Sequence, residues 1–314
     1  MSDDAASLRR KIEGSRDLQS VVRTMKALAA SNISQYEKSI RALDAYYRSV
    51  ELGLSACFRQ TLPTAVNVQR KNPSDGGVVG AVVFGSDQGL VGRFNEVVVD
   101  HAAKTLGVGR NLQVWAIGER VRSRLSDAGL PLSGLFTVPN SVNAIAPLVA
   151  QILVESERAQ GGRSITELHL FYNHPTSGAG YLPVGHQLLP LDENWRGKLA
   201  QHPWPTRNLP EVMGDGATTL RALIREYLFI SLFRACAESL ASENATRLAA
   251  MQRADENIGE LLGQLQGTFH RVRQSSIDEE LFDVISGFEA GGFGSTTLTS
   301  NPVGTLGSSV ISPP

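Results

Sequence analysis

Apolar residues near the start of the chain return at steps of three and four. Between Leu8 and Cys57 they run Val22, Met25, Ala29, Ile33, Tyr36, Ile40, Leu43, Tyr47, Val50, Leu54 and Cys57, with no proline before Pro63. A stripe this narrow is the pattern of a coiled-coil helix. About 50 residues rising 1.5 Å each would make a rod of roughly 75 Å, against about 11–12 residues for an average globular helix. A second stripe begins after Pro210 and the Gly214–Gly216 turn. It reads Leu220, Leu223, Tyr227, Ile230, Ala237, Leu240, Leu248, Met251, Ile258, Leu261, Leu265, Phe269 and Val272, then Leu281, Val284 and Phe288, and meets no proline until Pro302. Some 70 residues would reach roughly 100 Å if unbroken. Gly259, Gly263 and Gly267 interrupt it, and each costs about 1 kcal/mol against Ala in a helix. That stretch is expected to be held by partners or to bend. Neither stripe is stable in water alone, so the two ends of the chain are expected to wind together as an antiparallel coiled coil.

The segment between them has another period. Val78 to Phe84 is a short apolar run ending at Gly85, and Asn95 to Leu106 comes next as a helix. Leu112 to Ile117 reads as a second strand, Glu119 to Ala128 and Ile145 to Ala159 as helices, and Leu168–Tyr172 and Gly185–Leu189 as further strands. Strands alternating with helices predict a Rossmann-like α/β domain over a mainly parallel sheet. The fold class is therefore α/β with long helices. Its parts are a coiled-coil helix over 1–62, the α/β domain over 63–210, a returning coiled-coil helix over 211–290 and a Gly/Ser/Thr-rich tail over 291–314. The tail lacks charge and apolar bulk, and composition of that kind predicts disorder.

Composition narrows the function classes. Lys and Arg number 30 and Asp and Glu 31, so no basic excess points to nucleic acid. No window approaches the roughly 18 apolar residues of a membrane span, which makes any membrane contact indirect. The first residues carry Asp3 and Asp4 before a mixed-charge helix, unlike a secretory signal or an Arg-rich transit peptide. Cys57 and Cys236 are far apart in sequence and read as buried small side chains in a reducing compartment. The histidines show no metal-ligand spacing.

Candidate chemistry is sparse. Gly85-Ser-Asp-Gln-Gly-Leu-Val-Gly-Arg-Phe-Asn95 is a glycine-bearing loop between a strand and a helix. Its spacing fits neither GxGxxG nor GxxxxGK[ST], so it reads as a structural tight turn capped by the Asp87 side chain. His169, Asn173 and His174 cluster at a strand end without a matching nucleophile. Arg271, Arg273 and Gln274 precede an acidic run at Asp278, Glu279, Glu280 and Asp283 on the second rod.

Taken in order, several of these motifs resemble the gamma subunit of F-type ATP synthases. Leu8-Arg-Arg-Lys-Ile12 with Val22-Arg-Thr-Met25-Lys-Ala-Leu-Ala-Ala30-Ser is similar to that family's opening helix. The 85–95 loop resembles its Ser-Asp-x-Gly-Leu-x-Gly-x-x-Asn loop. Glu238 to Met251, and Arg273-Gln-Ser-Ser-Ile277, are similar to its returning helix. The resemblance covers roughly residues 7 to 290. Departures are Asp278 and Phe288, where the family carries Thr and a small residue, and Lys26, where it usually has an acidic or polar one.

The resemblance implies a non-catalytic rotor shaft without a cofactor. Its coiled coil would fill a ring of three alpha and three beta subunits, and its α/β domain would bind the epsilon subunit and the c-subunit ring. Nucleic acid is not among the implied partners. The implied location is the cytoplasmic face of a bacterial inner membrane, reached only through the complex. By position, Arg273, Gln274 and Asp278 would meet a beta-subunit catch loop, Met25 another beta-subunit loop, and Arg247 with Glu243 the same lower region. An α/β enzyme with helical arms would need a complete phosphate or acid–base motif. A coiled-coil nucleic-acid arm would need a basic stripe. Neither is present.

Overall fold

A computed structural model describes residues 3–60, 77–107, 111–157, 165–177, 180–201, 204–208, 210–212 and 214–291. The expected tail lies outside the described residues from 292 onward. The chain divides into two compact units, residues 18–258 and, separately, 1–17 with 259–314.

In the larger unit a five-stranded sheet has the order β3-β2-β1-β4-β5. Strands β1 (Val78–Phe84), β2 (Leu112–Ile117), β3 (Leu132–Phe136) and β4 (Ile165–Pro175) are parallel, and β5 (Tyr181–Leu189) runs antiparallel at the edge. Every residue of β1 is buried, as expected of a parallel strand covered on both faces. One face of the sheet turns Val79, Ala81, Val83 and Phe171 toward Val98, Val99 and Ala102 of α2 (Phe94–Leu106) and toward Val121 and Leu125 of α3 (Glu119–Asp127). On the other face Val82, Phe84, Trp115, Leu168 and Leu170 meet Ile145, Val149 and Ile152 of α4 (Ile145–Glu157). The same cluster takes in Tyr36 of α1 (Asp3–Gln60) and Leu232, Ala235 and Leu240 of α6 (Gly216–Gly291). The helical pair is thus a structural layer of the α/β domain. A third cluster joins Val50, Leu54 and Cys57 to Leu220 and Ile230, with Leu199 of α5 (Glu193–Gln201).

The expectation of a mainly parallel sheet flanked by two long helices holds, with additions. β3 and α5 had no expected counterpart. β5 starts at Tyr181 and not at Gly185, because an edge strand tolerates Pro183. α6 is continuous through Gly259, Gly263 and Gly267.

Shielded positions in α1 keep a strict heptad step. One series is Ala5, Ile12, Gln19, Lys26, Ile33, Ile40, Tyr47 and Leu54; the other is Leu8, Ser15, Val22, Ala29, Tyr36, Leu43, Val50 and Cys57. α6 answers with Leu223, Ile230, Ala237, Asn244, Met251, Ile258, Leu265 and Val272, and with Leu220, Tyr227, Arg234, Ala241, Leu248, Asp255, Leu262, Phe269 and Ser276. A repeat averaging 3.5 residues winds two helices left-handedly and keeps one seam facing inward. Within the larger unit, side chains fix the direction. Arg23 and Lys26 bond Asp255, Asn32 bonds Asn244, Arg234 bonds Asp44, and Gly53 packs under Leu223. Residue numbers climb along α1 while they fall along α6, so the pair is antiparallel.

Asn32→Cys combined with Asn244→Cys is expected to be bridged by a short bifunctional thiol reagent, because the amides these thiols replace touch at 3.4 Å. Asn32→Cys with Gln252→Cys, about two helical turns further along α6, should not. Burial pushes both native thiols, Cys57 and Cys236, up and keeps them out of the reaction. Equal cross-linking of both pairs on a non-reducing gel would refute the register.

Candidate functional site

The loop after β1 is built around its own backbone. Asn95 Oδ1 accepts from the Ser86 amide at 2.9 Å, and Asn95 Nδ2 donates to Ser86 Oγ at 2.9 Å. Ser86 Oγ donates onward to the Gln88 carbonyl. Asp87 accepts from the amides of Glu119 and Val138, both at 2.9 Å, and so ties the ends of β2 and β3 to this turn. A Cβ at Gly118, whose φ is +114°, would sit 2.7 Å from the Ser86 carbonyl oxygen. The polar side chains that a phosphate site would need are spent on holding the turn, in line with the structural reading. At its tip Leu90 is 61% exposed with φ +63°. Arg93 pairs with Glu96.

The strand-end histidines separate. His169 lies 3.3 Å from Glu167 and stacks on Phe171, whereas His174 reaches across to Glu238 of α6 at 2.8 Å. Asn173 points to the start of α2.

Of the residues expected to touch a partner, Glu243 and Arg247 are turned inward. They pair at 2.6 Å with side chains 6% and 13% exposed. Burial pushes the Glu243 carboxyl up and the Arg247 guanidinium pulls it back. Asp87 adds a further upward push, so the loop carboxylate is a neighbour of this pair. Tyr36 beside them is pushed up to about 12, mainly by burial. Arg273, Gln274 and Asp278 are all exposed, next to the seam positions Phe269, Val272 and Ser276. Met25 is half-buried at the edge of the α1 seam. The structure therefore sets these residues in separate places: Met25, Glu243 and Arg247 in the larger unit, and the other three in the smaller.

One apolar surface escaped the sequence reading, and another was read as the end of the second stripe but lies open. On α1, Leu18, Val21 and Leu28 are 54%, 55% and 61% exposed. With Met25 they make a second apolar stripe, stepping Leu18–Met25 and Val21–Leu28 by seven beside the filled seam. The heptad offset was the signal. In the smaller unit, α6 continues past its last shielded position, Ser276, with Ile277, Leu281, Phe282, Val284, Ile285 and Phe288 exposed at 46–81%. Lys26 belongs to the seam itself. Its ammonium lies 2.9 Å from Asp255, which also takes Arg23 at 3.1 Å.

A family described as ATP synthase matches residues 4–290. The chain is 26% identical over 303 residues to the ATP synthase gamma chain of Parafrankia sp. (strain EAN1pec), spanning 92% of this chain and 98% of that one. It is 29% identical over 297 residues to the gamma chain of Granulibacter bethesdensis, spanning 90% and 98%. Among solved structures, the rotor of the Euglena gracilis mitochondrial ATP synthase aligns with a TM-score of 0.60 at 15% identity, covering 87% of this chain and 99% of that one. The central stalk and c-ring structure from Tetrahymena thermophila aligns with a TM-score of 0.51 at 22% identity, covering 74% and 99%. These structural likenesses bear on the fold.

The seam ion pair predicts an acid-sensitive contribution to stability. Asp255 is held below its ordinary value, first by the hydrogen bond from Lys26 and then by Arg23. A carboxyl lowered on folding stabilises above its unfolded value, and that stabilisation is lost as pH falls through the folded one. Asp255→Asn should lower the urea midpoint at neutral pH. The gap to the unaltered chain should close as pH drops below the ordinary value of 3.8. A gap of the same size in acid would show that the pair does not titrate this way.

Proposed function

As a member of the ATP synthase family, aligned nearly end to end with curated gamma chains, this chain is a rotor subunit and not the catalytic site, and we propose that it works by turning an asymmetric apolar shaft against an encircling ring of alpha and beta subunits. The observation that carries this mechanism is the end of α6. There Ile277, Leu281, Val284, Ile285 and Phe288 are 46–81% exposed. Burying a large apolar side chain is worth about 1.5–3 kcal/mol, and a run of such side chains left open marks a surface made for a partner. Leu18, Val21 and Leu28 on α1 support the same reading for a second contact.

A rod without threefold symmetry cannot touch three identical subunits alike. Each orientation then favours a different conformation in each beta subunit, and shaft angle becomes coupled to nucleotide affinity. In this proposal Arg273, Gln274 and Asp278 engage one beta-subunit loop. Asp278 supplies an acceptor-only carboxylate where the family has a hydroxyl. Met25 and its apolar stripe engage another loop. Glu243 and Arg247 act mainly by holding α6 beside Tyr36 and the Asp87 turn, and Arg247 offers only its small exposed edge to a partner. The α/β domain supplies the foot, with the epsilon subunit and the c-subunit ring as its partners. Among the described residues no helix is long and apolar enough to cross a membrane, so the chain joins the membrane through the complex, on the cytoplasmic face of the bacterial inner membrane.

Arg273→Ala with Gln274→Ala should lower ATP-driven ion pumping in the assembled complex by roughly thirtyfold or more, the scale of losing two hydrogen bonds, one of them charged. Nucleotide binding to each isolated site should stay intact. Unchanged pumping in the double variant would remove these residues from the contact.

A further inference from the structure

The sheet meets α6 along small side chains set among the larger Leu232 and Leu240. Ala235, Cys236, Ala237 and Ala241 are all buried in the cluster beneath β1, β2 and β4. Apolar contact of this kind is strong but non-directional. Small residues also provide few knobs to resist one body turning on another. Directional polar contacts add to what Leu232 and Leu240 contribute in fixing the angle of the sheet on the helix.

Polar contacts concentrate at the C-terminal end of β4. Glu238 is 3% exposed and lies between two cations or donors. Arg234 Nε donates to its Oε1 at 2.8 Å from the same helix, and His174 Nδ1 lies 2.8 Å from its Oε2 from the strand. Arg234 also reaches Asp44 of α1 at 3.4 Å. One turn further along α6, the fully buried Ser242 hydroxyl lies 2.9 Å from the Asn173 carbonyl and 2.9 Å from that of Glu238. Asn173 Nδ2 continues the chain by donating to the Phe94 carbonyl at 2.9 Å, at the start of α2. A polar path runs from α1 through α6 and β4 to α2, all within the larger unit.

We propose that Glu238, His174 and Ser242 form the torque-bearing joint that locks the α/β domain to the helical shaft. This rests on the rotor reading above and adds positioning residues that act within the chain. Turning α6 against the sheet would pull a buried carboxylate off His174 and a hydroxyl off the Asn173 carbonyl. A buried carboxylate that loses a partner is costly, which adds stiffness beyond that of the apolar contact.

The test uses the complete membrane-bound complex carrying His174→Ala with Ser242→Ala, in which Glu238 keeps Arg234. With the ion gradient collapsed by an ionophore, ATP hydrolysis should match the unaltered complex. Ions pumped per ATP should fall roughly fivefold or more, the scale set by losing two hydrogen bonds under load. Hydrolysis should also lose its slowing by an opposing gradient, a readout that lowered stability alone would not move. Restoring a donor with His174→Gln in the Ser242→Ala background should recover most of the pumping. If the double variant fails to assemble, His174→Ala alone carries the same expectation in weaker form. An assembled variant with unchanged pumping per ATP overturns the joint. An unaltered chain that enters no hydrolysing complex overturns the rotor reading instead.

Discussion

Two long helices that each present one continuous apolar stripe have to cover one another, and the rest of this molecule is arranged around that requirement. The stripe alone would leave the pair free to slide by a heptad, because one turn of aliphatic side chains resembles the next. Polar residues placed within or beside the seam remove the freedom. Asp255 is claimed by Lys26 and Arg23, Asn244 by Asn32, and Arg234 by Asp44. Each pair is satisfied at one offset and would strand a donor or a carboxylate at any other, the role best attested for polar groups in coiled coils. The helical pair then serves as a layer for the sheet, whose second face has Tyr36 and Leu232 in its core. Without the seam that core would be open to water.

Much of this is legible from residue order. The three-and-four step announces both helices, and the run Val78–Phe84 announces a strand buried on both faces, because few other settings tolerate unbroken aliphatics. The turn at 85–95 reads as scaffolding because its spacing lacks a phosphate loop's lysine. Elements that fail to register have local signals that mislead. β5 contains Pro183 and Gly185, which normally break strands, and only its place at the edge permits them. Leu132–Phe136 is too short and too exposed to stand out from a loop. At the candidate site, exposure can be inferred for Arg273 and Gln274 from their offset to the stripe. The inward turn of Glu243 and Arg247 cannot, because charged side chains on a helix ordinarily face water and this pair is buried only through its mutual bond. His174 and Glu238 are distant in sequence, and their meeting comes from topology alone.

The surface left over is as informative as the core. An α/β domain commonly places ligands beyond the carboxyl ends of its strands. Here that end is closed by Asp87, Asn95 and Ser86, whose side chains bond backbone and one another. Open apolar surface appears instead on the helices, at Leu18, Val21 and Leu28 and again from Ile277 to Phe288. Gly263 and Gly267 belong to the same description. A methyl group at either would meet nothing within 4 Å. No packing among the described residues asks for glycine there, and each substitution by Ala would favour the helix by roughly 1 kcal/mol.

The unbroken heptad in both helices has a consequence for how such a chain can change over generations. Each added or lost helical residue swings everything beyond it through about 100° and carries it about 1.5 Å along the axis. One insertion between Ala29 and Val50, or between Ile230 and Met251, would therefore present a different flank of the rod to its surroundings while also unseating the downstream ion pairs. Substitutions on the outer face leave the seam intact, as long as the count of residues between seam positions stays fixed. Spacing carries the geometry here, and a single insertion disturbs it more than most substitutions between seam positions would.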